Sequence, residues 1–261
     1  MALELQFLDA FARGVGSFGV AVVSSFGVAV VSHSCPTVVR RRPQAAQVFL
    51  FGAHNIDVTA RPTNPLSLKS MDPEDERAWK QAVEQNRERK ERYFRENQRS
   101  PIPPELRGAD FPGLDYYEVD SDYRYELELE RYDDPETVTV ETTADGEQTY
   151  RRVGQFRFEV DGNEVSLDAF EPTDGSDRLW VPFRDATSGD ETYGAGRYID
   201  LEPEENKIGD DTWVLDLNRA YNPTCAYNPA YECPLVPSSN WLDVPVEAGE
   251  RDFPADIYGD H

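Results

Sequence analysis

The chain has 261 residues and a formal net charge of −24, from 26 basic and 50 acidic side chains. This length admits one or two domains. No basic stripe follows Met71, which excludes binding to a nucleic-acid backbone, because such binding needs cations that displace phosphate counterions. Dispersed acids are typical of a solvated, salt-adapted surface, and they favour this interpretation over mimicry of nucleic acid or binding of a basic partner.

The first 70 residues differ sharply from the remainder. They hold six basic and three acidic residues, so the negative charge of the chain belongs to residues 71–261. An eight-residue segment occurs twice in succession, at Ser17–Ser24 and Ser25–Ser32, and no formal charge lies between Arg13 and Arg40. We interpret residues 1–70 as a disordered or mis-annotated upstream extension. A membrane segment and a genuine tail are the alternatives, and the serines and glycines of the uncharged run disfavour the membrane.

A helix is predicted from Asp72 to about Asn97. Asp72 is a side-chain acceptor at the cap position, Pro73 suits the first helical position, and Asp75 lies in the first turn. Basic residues toward the end, such as Arg95, suit the C-terminal end of the helix dipole. The proline-rich residues 101–104 then end the helix.

From Tyr123 onward the apolar pattern has a period of two, which indicates half-buried strands. The clearest hairpin turns at Asp161-Gly162. Tight turns without intervening helices predict a mainly β domain over residues 71–261, an antiparallel sandwich or partly closed barrel with an N-terminal α-helix. The eight predicted strands lie at or around residues 123–130, 138–140, 156–160, 165–167, 179–183, 197–201, 213–217 and 242–246.

Histidine is almost absent from the predicted domain. His33 and His54 lie in the first segment and His261 is the last residue. A Ser/His/Asp triad, a Cys/His pair and a His-based zinc site are therefore excluded, and we predict neither a metal nor a cofactor. A general base would have to be a carboxylate or a tyrosinate, with Asp185 and Asp216 as candidates.

Two cysteines, Cys225 and Cys233, lie eight residues apart in a proline-rich connection. They are candidates for a disulfide that closes a small loop. Two buried, reduced thiols packed as small apolar groups are the alternative. The third cysteine, Cys35, belongs to the first segment.

A glycine-containing segment, residues 192–197, lacks the Gly-Lys-Ser/Thr sequence of a phosphate loop, so its glycines predict a close backbone approach instead. Arginines on either side are suited to planar anions. Pairing of these arginines with Asp185, Asp200 or Asp216 is the structural alternative. The candidate ligand-binding residues are Arg184, Tyr193, Arg197, Asn218, Arg219, Asn222 and Tyr227.

The ordered motifs from residue 111 to residue 250 resemble the bacterial and archaeal family catalogued as domain of unknown function 1684. Its pattern is similar to Phe111 to Leu114, Phe183 with Asp185 and Thr187, Tyr193 to Tyr198, Asp216 to Arg219, Asn222 to Tyr227, Cys233-Pro234, Asn240 and Ala248 to Glu250. Leu217 stands where the family usually has phenylalanine. The resemblance implies a cytoplasmic single domain and supplies no catalytic residues, whereas it is the acidic composition that predicts a halophilic, archaeal-like protein.

Two functions follow from these motifs. The first is a protein, an enzyme or not, that binds a small polar or anionic ligand in a pocket formed by the arginine, aspartate, asparagine and tyrosine side chains. The second is a non-catalytic structural or interaction module in which the same residues lock the long proline-rich connection around Cys225 and Cys233. We call this connection the Pro/Cys loop. Substrate and oligomeric state are left open, and neither nucleic acid nor membrane is an expected partner.

Overall fold

A computed structural model describes residues 71–255 and residue 257, which fall in one of two compact units of the chain, Ala60–His261. The predictions for residues 1–70, including the repeated octapeptide, Cys35 and two histidines, lie outside the described residues, as does His261. The domain boundary at Met71 stays a prediction for the same reason.

Helix α1, Pro73–Glu96, confirms the first predicted element. The Asp72 carboxylate caps it by accepting the backbone N–H groups of Glu74 and Asp75 at 2.9 and 3.0 Å. The chain turns extended at Asn97, beyond the last turn that contains Arg95. Within the described part of the chain, no helix is both long enough and apolar enough to cross a membrane.

Within residues 71–255, seven strands form two antiparallel sheets. The smaller sheet has the order β1-β7, and the larger has the order β2-β3-β4-β5-β6. Because neither sheet closes on itself, the prediction of an antiparallel sandwich with an N-terminal helix is confirmed and the partly closed barrel is wrong. The strands are β1 Arg124–Glu128, β2 Glu130–Glu141, β3 Glu147–Val160, β4 Asn163–Pro172, β5 Leu179–Phe183, β6 Arg197–Leu201 and β7 Thr212–Asp216, with a short helix α2, Pro203–Asn206, between β6 and β7.

The β3–β4 hairpin forms where the sequence predicts it. Asp161 and Gly162 both have positive φ, 49° and 77°, which matches a two-residue turn whose twist suits antiparallel strands. Phe156 lies opposite Leu167 in this ladder, and both side chains are fully buried. The turn chemistry and the alternating apolar pattern therefore set the same register.

The main hydrophobic core unites side chains of both sheets, such as Leu127 and Leu215 of the small sheet with Phe156 and Ile199 of the large one. A second cluster lies on the opposite face of the large sheet. There Tyr150 stacks on Trp180 at 4.5 Å, and Phe170, Tyr198 and Val236 complete the cluster. Since Val236 belongs to the Pro/Cys loop, this aromatic cluster anchors that loop to the sheet.

One predicted strand, at Leu242–Val246, is wrong. Pro245 has no N–H for a ladder. The segment instead makes scattered bonds to the chain after β5: Leu242 N donates to Arg184 O at 2.8 Å, and Ala186 N donates to Val244 O at 3.1 Å.

Candidate functional site

Arg197 and Asp185 form an ion pair at the centre of the motif region. Both side chains are fully buried, and Arg197 Nη2 lies 2.8 Å from Asp185 Oδ2. The guanidinium also donates to the carbonyls of Val246, Ala248 and Glu250, at 2.9 Å for Val246 and 3.3 Å for Glu250. Its Nε has no hydrogen-bond partner in the described part of the chain. This pair fixes the segment from residue 246 to residue 250 from within.

The Asp185 carboxylate is buried and is bonded to neighbouring segments of the chain. Its Oδ1 accepts the Thr187 backbone N–H at 2.9 Å, the Thr187 hydroxyl at 2.6 Å and the Val246 N–H at 3.2 Å. A general base needs a lone pair directed at the proton that it removes. In the structure the four described hydrogen bonds of the Asp185 carboxylate all come from groups of the chain itself, and its role as an acid or base stays a prediction.

Asp216, at the end of β7, has a similar set of internal partners. Its Oδ2 accepts Trp79 Nε1 of α1 at 2.8 Å and Arg219 Nε at 3.1 Å. Its Oδ1 accepts both the backbone and the side-chain N–H of Asn218, at 3.1 and 3.0 Å. Asn218 in turn is held by two hydrogen bonds with the Asp120 backbone, at 2.9 and 2.7 Å. These residues join β7, the segment before β1 and helix α1.

A third buried group couples Glu250 to helix α1. Lys90 Nζ lies 2.6 Å from Glu250 Oε2 and donates to the Tyr227 hydroxyl at 3.0 Å. Tyr227 donates to Glu250 Oε1 at 2.6 Å, and the Asn222 N–H donates to Oε2 at 3.0 Å. Burial, together with the nearby Glu250 charge, raises the pKa of Tyr227 well above its ordinary value. Lys90 of helix α1 thus supplies the cation that pairs with the buried Glu250 carboxylate.

Cys225 and Cys233 are buried and reduced, and their thiols are in contact with each other. The backbone N–H of Cys225 donates to Cys233 Sγ at 3.3 Å, and the Tyr193 hydroxyl donates to Cys225 Sγ at 3.6 Å. The hydrogen bond from the Cys233 thiol lowers the pKa of Cys225 to about 7, although burial opposes this shift. The same thiol–thiol bond, with burial, raises the pKa of Cys233. Disulfide formation stays a prediction.

Gly196 confirms the predicted close backbone approach. Its φ is +97°, and a Cβ built there would lie 2.6 Å from both Phe183 O and Val236 Cγ2. Real Cβ atoms do not come so close, so only glycine fits at this point without displacing the backbone.

Arg184 differs from the other two arginines. It is half-buried, and Asp185, the next residue in the chain, pairs with Arg197 instead. Among the described residues no carboxylate forms an ion pair with Arg184. Its guanidinium instead stacks 4.6 Å from the ring centre of Trp241, which is 54% exposed. We call these two groups the Arg184–Trp241 platform.

Backbone and side-chain contacts hold the Arg184–Trp241 platform in place. Arg184 N donates to Asn240 O at 3.0 Å, and the indole N–H of Trp241 donates to Val236 O at 3.0 Å. The Asn240 side chain is fully buried and donates to Pro182 O at 2.7 Å and to Asp168 O at 2.9 Å. Both groups therefore project from a fixed frame.

An open depression on helix α1 contains no candidate-site residue. It has a volume of about 570 Å³, lies on the first turns of α1 and is lined by Pro73, Glu76, Arg77, Lys80, Gln81 and Glu84. In the part of the chain that the structure describes, no three His, Cys, Asp or Glu side chains are arranged to hold a metal ion. The sequence did not predict Trp79, Lys90 or Glu250 as site residues, since no local pattern distinguishes a helix position that meets a residue 160 positions away.

A protein-family model described as "Protein of unknown function (DUF1684)" matches residues 109–251, which is more than half of the chain. The chain belongs to the DUF1684 family. It is also similar to an uncharacterized protein of Haloarcula marismortui known from a solution NMR structure, with 45% sequence identity and a TM-score of 0.54. That similarity covers 69% of this chain and 97% of the other. No curated protein matches.

Membership of the DUF1684 family confirms the resemblance carried by the motifs from residue 111 to residue 250. Because the similar Haloarcula protein is itself described as uncharacterized, the comparisons give a family and a fold without an activity. The expected salt adaptation, archaeal type and cytoplasmic location stay predictions.

Proposed function

We propose that this DUF1684 protein is a non-catalytic binding protein that takes a small planar molecule with a carboxylate or phosphate group at the Arg184–Trp241 platform. The observation behind the proposal is that Arg184 stacks on an exposed indole and forms no ion pair with a described carboxylate, in a chain with 50 acidic residues. Arg197 and Arg219, in contrast, already have acidic partners.

The chemistry of guanidinium supports an anion at this position. The Arg184 guanidinium lies over the Trp241 ring and forms no ion pair with a described carboxylate, so the planar fork of its N–H groups is available to an anion. Such a fork donates two parallel hydrogen bonds to a carboxylate or phosphate, which strengthens the contact and fixes its direction. The exposed part of the indole offers an apolar surface for a ring attached to that anion.

The remaining candidate residues belong to the scaffold in this proposal. Asn218, Asn222 and Tyr227 are buried and bonded to other parts of the chain, as are Asp185 and Asp216. Tyr193, half-buried beside Cys225, lies in the glycine-containing segment that precedes Arg197. A rigid scaffold lowers the entropy cost of binding, because the platform is already in its binding geometry.

The proposal is tested by titrating the full-length protein with benzoate and, separately, with inorganic phosphate, following the indole N–H resonance of Trp241 by NMR. We expect benzoate to bind more tightly than phosphate, since it meets both groups of the platform. Replacing Arg184 by alanine removes a charge-assisted pair, and we expect it to weaken benzoate binding by about tenfold or more. The substitution Trp241→Leu should weaken benzoate more than phosphate.

Arg95→Ala provides a matched control. Arg95 also lies over an aromatic ring, that of Phe111 at 5.6 Å, but it is paired with Glu91. This variant should bind benzoate as the wild type does. If neither probe shifts the Trp241 resonance, or if Arg184→Ala and Arg95→Ala bind equally well, the platform is not a binding site and the motif only locks the Pro/Cys loop.

A further inference from the structure

Two thiols that the proposed binding site does not use lie in contact with each other within the Pro/Cys loop. Cys225 is 2% exposed and Cys233 is 7% exposed. In the connection between them, Ala226 and Tyr227 are buried, whereas residues 229–232 are exposed and contain no helix or strand. Cys233 Sγ accepts the Cys225 backbone N–H at 3.3 Å, so the second sulfur lies against the residue that bears the first.

The two sulfurs have different surroundings. Cys225 Sγ receives hydrogen bonds from the Cys233 thiol and from the Tyr193 hydroxyl, the latter at 3.6 Å. Thr143 also bonds its side chain to Cys225 and accepts the Cys233 N–H at 3.1 Å. Donors directed at one sulfur stabilise its thiolate, while the other sulfur keeps its proton by donating it. One member of the pair is therefore prepared as a nucleophile and the other as its partner.

We propose that Cys225 and Cys233 form a reversible redox site, in which Cys225 reacts with a peroxide and Cys233 resolves the product to a disulfide. This inference does not depend on the proposed anion site. It differs from a structural disulfide because both thiols are reduced in the folded protein and a small oxidant converts them. The alternative, in which both thiols only fill space, predicts no such reaction without unfolding.

Atoms and electrons balance with hydrogen peroxide as the oxidant. Cys225 first loses its proton to water, and its thiolate attacks one peroxide oxygen, so that an S–O bond forms, the O–O bond breaks and hydroxide leaves. The hydroxide recovers the proton as water, and Cys225 is then a sulfenic acid. Cys233 sulfur attacks Cys225 sulfur, the S–O bond breaks, and the departing hydroxide takes the Cys233 proton. Two thiols are oxidised, and one peroxide is reduced to two waters.

The burial of both sulfurs explains why a small oxidant is expected. A protein-sized disulfide reagent cannot reach sulfurs that are almost completely buried, whereas hydrogen peroxide needs only a local opening of the exposed connection. Closing the disulfide joins the two ends of that connection. A dithiol such as dithiothreitol reverses the step by thiol–disulfide exchange.

The experiment uses the full chain with Cys35→Ser, so that the two loop cysteines are the remaining thiols. Native protein treated with dilute hydrogen peroxide should lose both free thiols and yield a peptide in which Cys225 and Cys233 are linked, and dithiothreitol should restore both. The initial rate should rise as the pH increases through about 7, because deprotonation of Cys225 limits it.

Two further variants, each in the Cys35→Ser background, separate the roles. With Cys233→Ser, oxidation should stop at a sulfenic acid on Cys225 that dimedone traps. With Cys225→Ser, the remaining Cys233 thiol should react at least about tenfold more slowly, since its sulfur accepts backbone N–H groups but lacks the hydroxyl donors that Tyr193 and Thr143 provide to Cys225. Circular dichroism identifies variants that do not fold, and the Cys35→Ser protein decides the question by itself in that case.

Three results would overturn the proposal. The first is that peroxide leaves both thiols of the native protein unoxidised until urea unfolds the chain. The second is faster oxidation of Cys233 than of Cys225. The third is linkage between chains with no bond between Cys225 and Cys233. None of these results bears on benzoate binding, which is measured with the protein fully reduced.

Discussion

Arg197 places a full charge in the interior of the sandwich. Its solvation is replaced by one carboxylate and three backbone carbonyls. Such a pair adds little stability in comparison with apolar residues of equal volume, but removal of one partner leaves an uncompensated buried charge. The main effect of Arg197 is therefore structural: its directed hydrogen bonds join β6 to residues 246–250.

Replacing Arg197 by leucine should lower the free energy of unfolding by about 3–5 kcal/mol, because Asp185 stays buried without its cation. Arg219→Leu is the matched control. Arg219 also pairs with a buried aspartate, Asp216, but its side chain is 36% exposed, so we expect a loss of only about 0–1 kcal/mol. Urea unfolding followed by circular dichroism measures both. Equal losses would mean that the buried pair is not a structural centre.

At the scale of whole elements, helix α1 contacts the sandwich mainly through polar groups. Its buried residues are Val83, Lys90 and Phe94, so its apolar contact is small for 24 residues. Lys90 and Trp79 supply donors to Glu250 and Asp216. We infer that specific hydrogen bonds, more than apolar area, determine how the helix is oriented on the domain.

Lys90→Met tests this role of the helix. The substitution keeps helix propensity and length but leaves Glu250 buried without a cation, which should cost about 3–5 kcal/mol. The same change at Lys80, which makes an exposed pair with Glu76, should leave the free energy of unfolding nearly unchanged. Thermal and urea unfolding of the two variants compare them directly. A small effect of Lys90→Met would show that apolar contacts alone dock the helix.

The elements that the sequence predicts correctly are those with local causes. The Asp72-Pro73 cap and the Asp161-Gly162 turn each lie within a few residues of the structure that they determine. The false strand at Leu242–Val246 has an apolar alternation. It forms no ladder, because Pro245 lacks an N–H group and Leu242 N donates to Arg184 O instead. Tertiary contacts override a short apolar pattern in such cases.

The candidate site was predictable in composition but not in pairing. Motif density predicts a polar site, and Arg197, Asp216 and Asn218 are each buried polar residues in the structure. Which acid meets which arginine depends on contacts between distant segments, and helix α1 intervenes with Lys90, whose partner Glu250 is 160 residues away. Local spacing holds no information on such a contact. It therefore could not predict that Arg197 pairs with Asp185 while Arg184 stacks on Trp241.

At the scale of the whole molecule, buried tyrosines make stability depend on alkaline pH. Burial raises the pKa of Tyr198 and of Tyr227 well above the ordinary value of 10.0. Their neutral forms are thus favoured in the folded state. The stabilisation is fully present below pH 10, where the unfolded tyrosines are also neutral, and it is lost as pH rises above 10, where only the unfolded chain releases these protons.

The free energy of unfolding should therefore fall above pH 10 by about 1.4 kcal/mol per pH unit for each such tyrosine. Replacing Tyr198 by phenylalanine should reduce this slope by one proton, whereas Tyr231→Phe, at a 40% exposed position, should not change it. Urea midpoints measured across the alkaline range, together with tyrosinate absorbance, give the slopes. Identical slopes for the two variants would contradict the role assigned to Tyr198.

The contact between Lys90 and Glu250 also bears on what counts as one autonomous folding unit in this family. The family match begins at residue 109, after helix α1 has ended, yet Asp216 and Glu250 inside the matched span depend on side chains that precede it. A fragment cut at residue 109 would bury Glu250 with no countercharge. Relatives of this chain should therefore possess an upstream helix with a cation at the corresponding turn, or a neutral residue in place of Glu250.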